Sequence, residues 1–349
     1  VAKKPITDWD AYSESLKERL GYSEEVMRII IHKARNCNRK VVYPDGEEEV
    51  IIRAANKVAE LKIGQPILLG NKVRIQSKIE ALGFESDKFT IIDPTESQSM
   101  KNYIQKFYEL RQRKGVNKNM AKKMVSQPNY FACMMVAQND ADVLIGGINS
   151  NVQYTLKPAL ETIGMKDKIS TVSGMYIAVI NRKVLFFADI NVNINPNADE
   201  LAQIAISASD AVKEFDFVPI VGMLSFSNFG STRTPESNKI KDAVRIVQER
   251  RPDIVIDGEM QVDTALDFDI LKNEFPFNNL PTAANVLIFP NLSAANISYR
   301  LLQKLTNSTF IGPVLMGLNK PVHVVDRAAN VDDVINMTAL AVVESVSKN

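Results

Sequence analysis

The sequence predicts an α/β protein of two domains, each built on a mostly parallel sheet covered by helices on both faces. Three observations lead there. The chain has 349 residues, more than one hydrophobic core usually organises. Short runs of continuous Val, Ile and Leu alternate with amphipathic stretches, the pattern of buried parallel strands joined by crossover helices. After Asn151 two long β-prone runs follow one another as a hairpin pair would, and a second series of strands and helices begins.

Taken in order, DWDAYSESLKERLGYSEEVMRIIIHKARNC is helix-rich. Asp10 or Thr7 caps a first helix, and Ser23 with Glu24 and Glu25 begins a second. Residues 1–38 have the composition of a surface linker, and the start VAKKPITDWD, with neither an initiator Met nor a signal-peptide core, reads as the middle of a longer protein. RKVVYP (39–44) is strand-like, EEEVIIRAANKVAELK (47–62) helical, and QPILLGN (65–71) a strand ending in a turn. KVRIQSKIEALG is helical, KFTIIDP a strand, and Met100 to about Lys123 a long helical region; YFACMMVAQN and the strand ADVLIGGIN follow.

In the second block, TVSGMYIAVIN and KVLFFADINVNINP form the hairpin, and 198–215 is a helix. FVPIVGMLSFS, a helix over 239–250, DIVIDGE and NVLIFPN continue the alternation. SYRLLQKLTN, IGPVLMGLNKPVHVVDR and VDDVINMTALAVVESV close the chain as helix, strand and helix.

Composition excludes several function classes. Lys and Arg number 42 against 41 Asp and Glu, which offers no field for steering nucleic acid or an anionic membrane, so an anion site must be local. No apolar stretch approaches the roughly 20 residues a bilayer span needs. Cys37 and Cys133 are far apart and lack a CxxC partner, which fits a reducing cytoplasm. There is no GxGxxG, P-loop or nucleophile elbow. His32 and His323 fit no HExxH pattern and read as surface or packed residues. Asp257, Glu259, Asp263, Asp267 and Asp269 invite a metal, but strand-end and helix-start roles account for them better, so no metal is expected.

Three segments carry candidate chemistry. In LSFSNFGSTRTPES, a strand end presents Ser225, Ser227, Asn228 and Ser231, with Gly230 allowing close backbone approach. The following helix adds its positive N-terminal dipole, so the segment suits a phosphate group or simply caps its own turn. In FADINVNINPNADELAQIA, Asn191, Asn193 and Asn195 alternate along an extended run and face one side as a polar wall. In KPVHVVDRAANVDDVINM, Arg327 follows an apolar strand, and Asp332 and Asp333 open the last helix. That pairing suits a phosphate or thioester clamp with a base.

These segments, together with PDIVIDGEMQVDTAL, ANVLIFPNLSAANISYRLLQKL and IGPVLMGLNKPVHVVDR, resemble the phosphate acetyl/butyryltransferase family in content and order over roughly residues 39–346. The lead-in VAKKPITDWDAYSESL and the phrase VINMTALAVV are similar to the C-terminal half of hybrid bacterial NADP-dependent malic enzymes. The resemblance implies two doubly wound α/β domains, isocitrate dehydrogenase-like, with an interdomain cleft and the second domain inserted in the first. The boundaries become a linker at 1–38, domain one at 39–155 plus 306–349, and domain two at 156–305. It also implies acetyl-CoA or CoA in the cleft, a homodimer and a higher oligomer in the full protein, with no cofactor in this chain. NADP and a divalent metal would belong to a malic enzyme domain outside it.

Carried onto this sequence, the family's arginine and proposed base fall on Arg327 and Asp333. The serine before that arginine is Asp326 here, a negative charge beside incoming phosphate. Two further family arginines appear as Lys157, close to Tyr154 in YTLKPAL, and Lys304; a third becomes Val50 or, in a shifted register, Arg53. Lysine keeps charge but loses the bidentate fork. The acetyl-CoA set implied is Tyr154, Lys157, Asn193, Asn195, Ser225, Ser227, Asn228, Gly230, Ser231, Lys304, Arg327 and Asp333. The departures fall on phosphate chemistry, so the leading expectation is an acetyl-CoA-binding regulatory and oligomerisation domain of a malic enzyme without acetyl transfer. The alternatives are a working phosphate acetyltransferase and a purely structural oligomerisation domain.

Overall fold

In the computed structural model, residues 22–346 are described, apart from 36, 168, 181–182 and 307. The first expected helix, capped at Asp10 or Thr7, lies outside the described residues. The first half runs α1 (Tyr22–Ala34), β1 (Lys40–Tyr43), α2 (Glu49–Glu60), β2 (Gln65–Leu69), α3 (Lys72–Ala81), β3 (Thr90–Ile92), α4 (Met100–Arg111), α5 (Lys118–Val125), α6 (Pro128–Ala137), β4 (Val143–Gly146) and α7 (Val152–Thr162). Then come β5 (Ser173–Ile180), β6 (Lys183–Ala188), α8 (Ala198–Glu214), β7 (Val221–Leu224), α9 (Pro235–Arg250), β8 (Ile256–Met260), α10 (Val262–Leu266), α11 (Phe268–Glu274), β9 (Val286–Ile288) and α12 (Leu292–Leu305). The chain ends with β10 (Thr309–Met316), β11 (Val322–Val324) and α13 (Val331–Val346).

Two sheets result. The first, in the order β11-β4-β1-β2-β3, is parallel throughout. The second, β10-β5-β6-β9-β7-β8, has two antiparallel pairs at the β10 side and parallel pairs from β6 to β8. The protein is therefore α/β with parallel sheet, and the hairpin expected at β5 and β6 is present.

Both faces of the first sheet are covered, as its continuous apolar strands require. On β1, Val41 and Tyr43 join the core shared with α1, α2 and α13, while Val42 faces the α4, α5 and α6 side with Phe107 and Phe131. The core around α13 extends to Ile177, Phe186 and Val286 of the second sheet. The two sheets are thus joined through apolar packing.

Two features differ from the sequence reading. IGPVLMG, placed with the first domain, forms β10 and pairs with β5 in the second sheet, because the run contains two strands, not one, divided at Gly317–Pro321. Helix α7, placed in the second domain, packs on α6 and β11 of the first. The chain passes from the first sheet to the second after α7 and makes a second crossing, back to the first sheet, after β10. The long helical region after Met100 is broken at Gly115, whose φ of +85° ends the first segment, and YFACMMVA forms the buried helix α6.

At the second crossing, His323 on β11 is fully buried. Its Nδ1 accepts the Leu315 N–H of β10 at 3.1 Å, and its Nε2 lies 2.8 Å from Glu344 Oε2 on α13. One imidazole thereby links both sheets and the last helix.

Candidate functional site

Strands β6, β9, β7 and β8 are neighbours and run parallel, so the segments that leave their carboxyl ends crowd one edge of the second sheet. These are 189–197, 289–291, 225–234 and the turn at Gln261. This is the edge where open α/β sheets take ligands. Two of these segments, 189–197 and 225–234, are held by a buried carboxylate.

Asp189 ends β6 and is 3% exposed. Its Oδ1 accepts the N–H groups of Gly174, Asn191 and Val192 at 3.0, 3.0 and 3.2 Å, and its Oδ2 accepts the Asn193 N–H at 2.8 Å and the Asn193 Nδ2 at 2.6 Å. Burial pushes its carboxyl above the usual range, against the pull of these donors. The carboxylate curls the chain around itself. The extended run expected over 191–195 is therefore absent, and the three asparagines do not share a face.

Each asparagine has its own fate. Asn191 lies against Gly174, Asn193 donates to the Val172 carbonyl at 2.9 Å, and Asn195 accepts from Lys239 Nζ at 3.1 Å. Lys239 also donates to the Pro290 carbonyl at 3.2 Å, tying the segments after β6 and β9 to α9. Burial lowers the affinity of this amine for its proton.

The serine-rich segment is organised from β8. Glu259, 2% exposed, accepts on Oε1 from Ser227 Oγ at 3.0 Å and from the Gly230 N–H at 2.6 Å. Ser227 Oγ also accepts the Thr232 N–H at 3.0 Å. Asn228 and Gln261 exchange two bonds, Gln261 N–H to Asn228 Oδ1 at 2.7 Å and Asn228 Nδ2 to Gln261 Oε1 at 3.2 Å.

One expectation changes here. Ser227, expected among the ligand donors, is fully buried and holds the loop to Glu259. Gly230 has a φ of +86°, a conformation that favours glycine, and a Cβ there would meet no protein atom within 4 Å. Ser231 and Arg233 remain exposed, and Ser225 and Asn228 half-buried. Thr234 and Ser237 form a capping box at α9.

On the first sheet, the carboxyl ends of β1, β4 and β11 carry Asp45, Gly147–Asn151 and Asp326–Arg327. Asp45 accepts the Gly147 N–H at 3.1 Å, and burial raises its carboxyl value. Asp326 is exposed and accepts the Arg327 N–H at 2.8 Å. Its negative charge also reaches the buried Tyr176 of β5, whose hydroxyl is pushed up mainly by burial and then by Tyr299 and Asp326. Tyr176 stacks on Tyr299 with centroids 5.0 Å apart. The β11 end therefore reaches the second sheet beside β5.

Arg327 and Asp333 flank this end, both exposed. Asp333 Oδ2 accepts the Asn330 N–H at 2.9 Å and its own N–H donates to Asn330 Oδ1 at 3.0 Å, so the expected base serves as a helix cap. Tyr154 and Lys157 are exposed on α7, just beyond the β4 carboxyl end. Lys304 is exposed in the last turn of α12, about 18 Å along the axis from Leu292, and is not brought to the loop edge. Arg53 pairs with Glu49 on α2, and Val50 is half-buried on the same helix. Asp189 and Glu259 were not foreseen as the organisers. A charged residue closing an apolar strand, in FFAD and IDGE, was their only local signal.

Three of the five acidic residues of the metal alternative, Asp257, Glu259 and Asp267, are engaged in local structure. Asp257 accepts from the Gly258 and Asn279 N–H groups, and Asp267 caps α11. Among the described residues no group of three or more His, Cys, Asp or Glu side chains is placed to hold a metal ion, and no helix is long and apolar enough to cross a membrane.

The profile of the phosphate acetyl/butaryl transferase family matches residues 25–342. The chain belongs to this family. It is 36% identical to the phosphate acetyltransferase of Bacillus subtilis, over 92% of this chain and 99% of that protein. It is also 35% identical to the NADP-dependent malic enzyme of Escherichia coli, over 99% of this chain and 46% of that protein, in its C-terminal region. A phosphotransacetylase structure from Streptococcus pyogenes superposes with a TM-score of 0.89 at 32% identity, covering 93% of this chain and 98% of that one. The chain spans under half the length of its malic enzyme relatives. A phosphotransacetylase-like domain of the malic enzyme type accommodates both similarities.

Proposed function

We propose that this chain is an acyl-CoA-binding regulatory and oligomerisation domain of an NADP-dependent malic enzyme, which decarboxylates malate oxidatively to pyruvate, and that it has lost efficient acetyl transfer. Acetyl-CoA or CoA would lie in a cleft between the carboxyl edges of the two sheets. Exposed Ser231, with Asn228 and the Asn195–Lys239 bridge, would line one wall; Tyr154, Lys157 and Arg327 would face it, with Lys304 reached only by the far end of an extended ligand. The domain would act as a homodimer within a larger cytoplasmic assembly. NADP and the divalent metal would be bound by the malic enzyme part.

The observation that carries the reading is Asp326. Attack of a CoA thiol on acetyl phosphate calls for cationic neutralisation of phosphate and a free base near the thiol. At the end of β11 stands an exposed carboxylate one residue before Arg327. A fixed negative charge opposes the phosphate that transfer requires, but leaves binding of an acyl thioester unhindered.

A second reading is an active phosphate acetyltransferase, favoured by the full-length match to the Bacillus subtilis enzyme. Calorimetric titration with acetyl-CoA, CoA and acetyl phosphate separates the readings. The regulatory account predicts saturable binding of the first two and weak binding of acetyl phosphate. Tight acetyl phosphate binding contradicts it.

A further inference from the structure

Helix α12 is apolar on two faces. On its inner face Ala295 and Tyr299 are buried, and Tyr299 stacks on Tyr176 of β5 with centroids 5.0 Å apart. Ile297, Leu301 and Leu305 recur at every fourth position and so share a different, outward face. They are 60%, 53% and 78% exposed. A helix with water on its outer side normally carries polar residues there. Arg300, which lies between Ile297 and Leu301 in sequence, is turned away from the stripe. Its Nε donates to Asn296 Oδ1 at 3.2 Å, and its guanidinium stands 5.1 Å from the centroid of the Tyr299 ring.

The three side chains leave roughly 400 Å² uncovered, as much as the largest apolar patch of a typical monomer. Ile194, 75% exposed, stands at the amino end of the same helix, where its carbonyl accepts the Leu292 N–H at 3.1 Å. A stable symmetric dimer buries about 800 Å² per copy, which the stripe, Ile194 and a polar rim around them reach together.

The shape of the stripe selects its occupant. Ala294, Ile297, Ser298 and Leu301 stand at i, i+3, i+4 and i+7, the four corners of a hole on a helix surface. Two of the corners are small. Leu301 and Leu305 are side chains of the size that fills such a hole. A second copy of α12, laid antiparallel across a two-fold axis, puts its Leu301 into the hole and its Leu305 over Ala294. It receives Leu301 and Leu305 of the first copy in the same way, as an isologous contact requires. A parallel arrangement would set large against large at Leu305 and leave a void at Ala294.

We propose that α12 is the contact surface of a symmetric homodimer, packed antiparallel on α12 of a second copy through Ile297, Leu301 and Leu305. The homodimer is one element of the proposed function, and the inference rests on that element alone.

The test is the oligomeric state of the whole chain, measured by sedimentation equilibrium over a range of concentrations. Wild type should be a dimer. Leu301→Lys should raise the dimer dissociation constant roughly a hundredfold or more, because each contact then buries two unpaired charges. Ser298→Leu adds apolar surface but fills the hole, and should weaken the dimer roughly tenfold. Circular dichroism checks that both variants fold. A monomeric wild type overturns the inference and leaves the stripe to a different partner. A wild-type dimer that neither variant weakens, or that Ser298→Leu strengthens, overturns the antiparallel α12 contact. Acetyl-CoA titration of the same wild-type sample reports separately on acyl-CoA binding, so failure of the dimer surface is not mistaken for failure of that reading.

Discussion

Ser227 and Glu259, 32 residues apart, share a buried hydrogen bond of 3.0 Å across the carboxyl ends of β7 and β8. The same Glu259 oxygen takes the Gly230 N–H, so one carboxylate shapes the serine-rich segment from beneath. Glu259→Ala would leave a hydroxyl and an amide without their acceptor. Urea unfolding should show a loss of about 2–4 kcal/mol. Glu259→Gln keeps an acceptor oxygen and should lose about 1 kcal/mol. Equal stability of all three proteins would remove Glu259 from this role.

Asp189 should show its burial in pH dependence. Its folded value lies above the ordinary aspartate value of 3.8 because desolvation outweighs its five donors. A carboxyl with a raised folded value binds its proton more readily in the native state. Its contribution is therefore full below 3.8 and declines as pH rises through the raised value. The stability gap between wild type and Asp189→Asn, measured by urea unfolding across acid pH, should narrow as pH increases. A gap that widens would give Asp189 the opposite shift.

His323 joins Leu315 of the second sheet to Glu344 of the last helix. His323→Leu keeps the bulk but removes the acceptor for the Leu315 N–H and the partner facing Glu344. Loss of about 2–4 kcal/mol is expected, with faster amide exchange along β10 than along β1. Exchange accelerated uniformly over the chain would contradict a local junction.

Asp326→Ser restores the residue that the family resemblance implies before the arginine. Because Lys157 and Lys304 still lack the bidentate fork of the family's arginines, acetyl phosphate formation should stay near background. The acetyl-CoA dissociation constant should change by no more than about threefold. Turnover restored to a rate typical of enzymes would make Asp326 the sole block.

Much of the fold was legible because continuous apolar runs such as VVY, ILL and VLIG are buried on both sides and admit little besides parallel strands. What escaped depended on distant partners. INVNINP looked extended, yet Asp189 draws three successive backbone N–H groups to itself and bends it. IGPVLMG reads as strand, but nothing local says that it pairs with β5. Ser227 looked like a ligand donor because its acceptor lies on a strand that follows an intervening helix. The site was legible as segments, since turn-forming Ser, Asn and Gly cluster after strands; which of their polar groups remain free for a ligand was not.

The most direct test of the regulatory account is a proton NMR time course of the purified chain with acetyl-CoA and phosphate. The account predicts broadened acetyl-CoA lines without an acetyl phosphate methyl signal. Steady growth of that signal at an enzymatic rate would contradict it and establish the chain as a transferase.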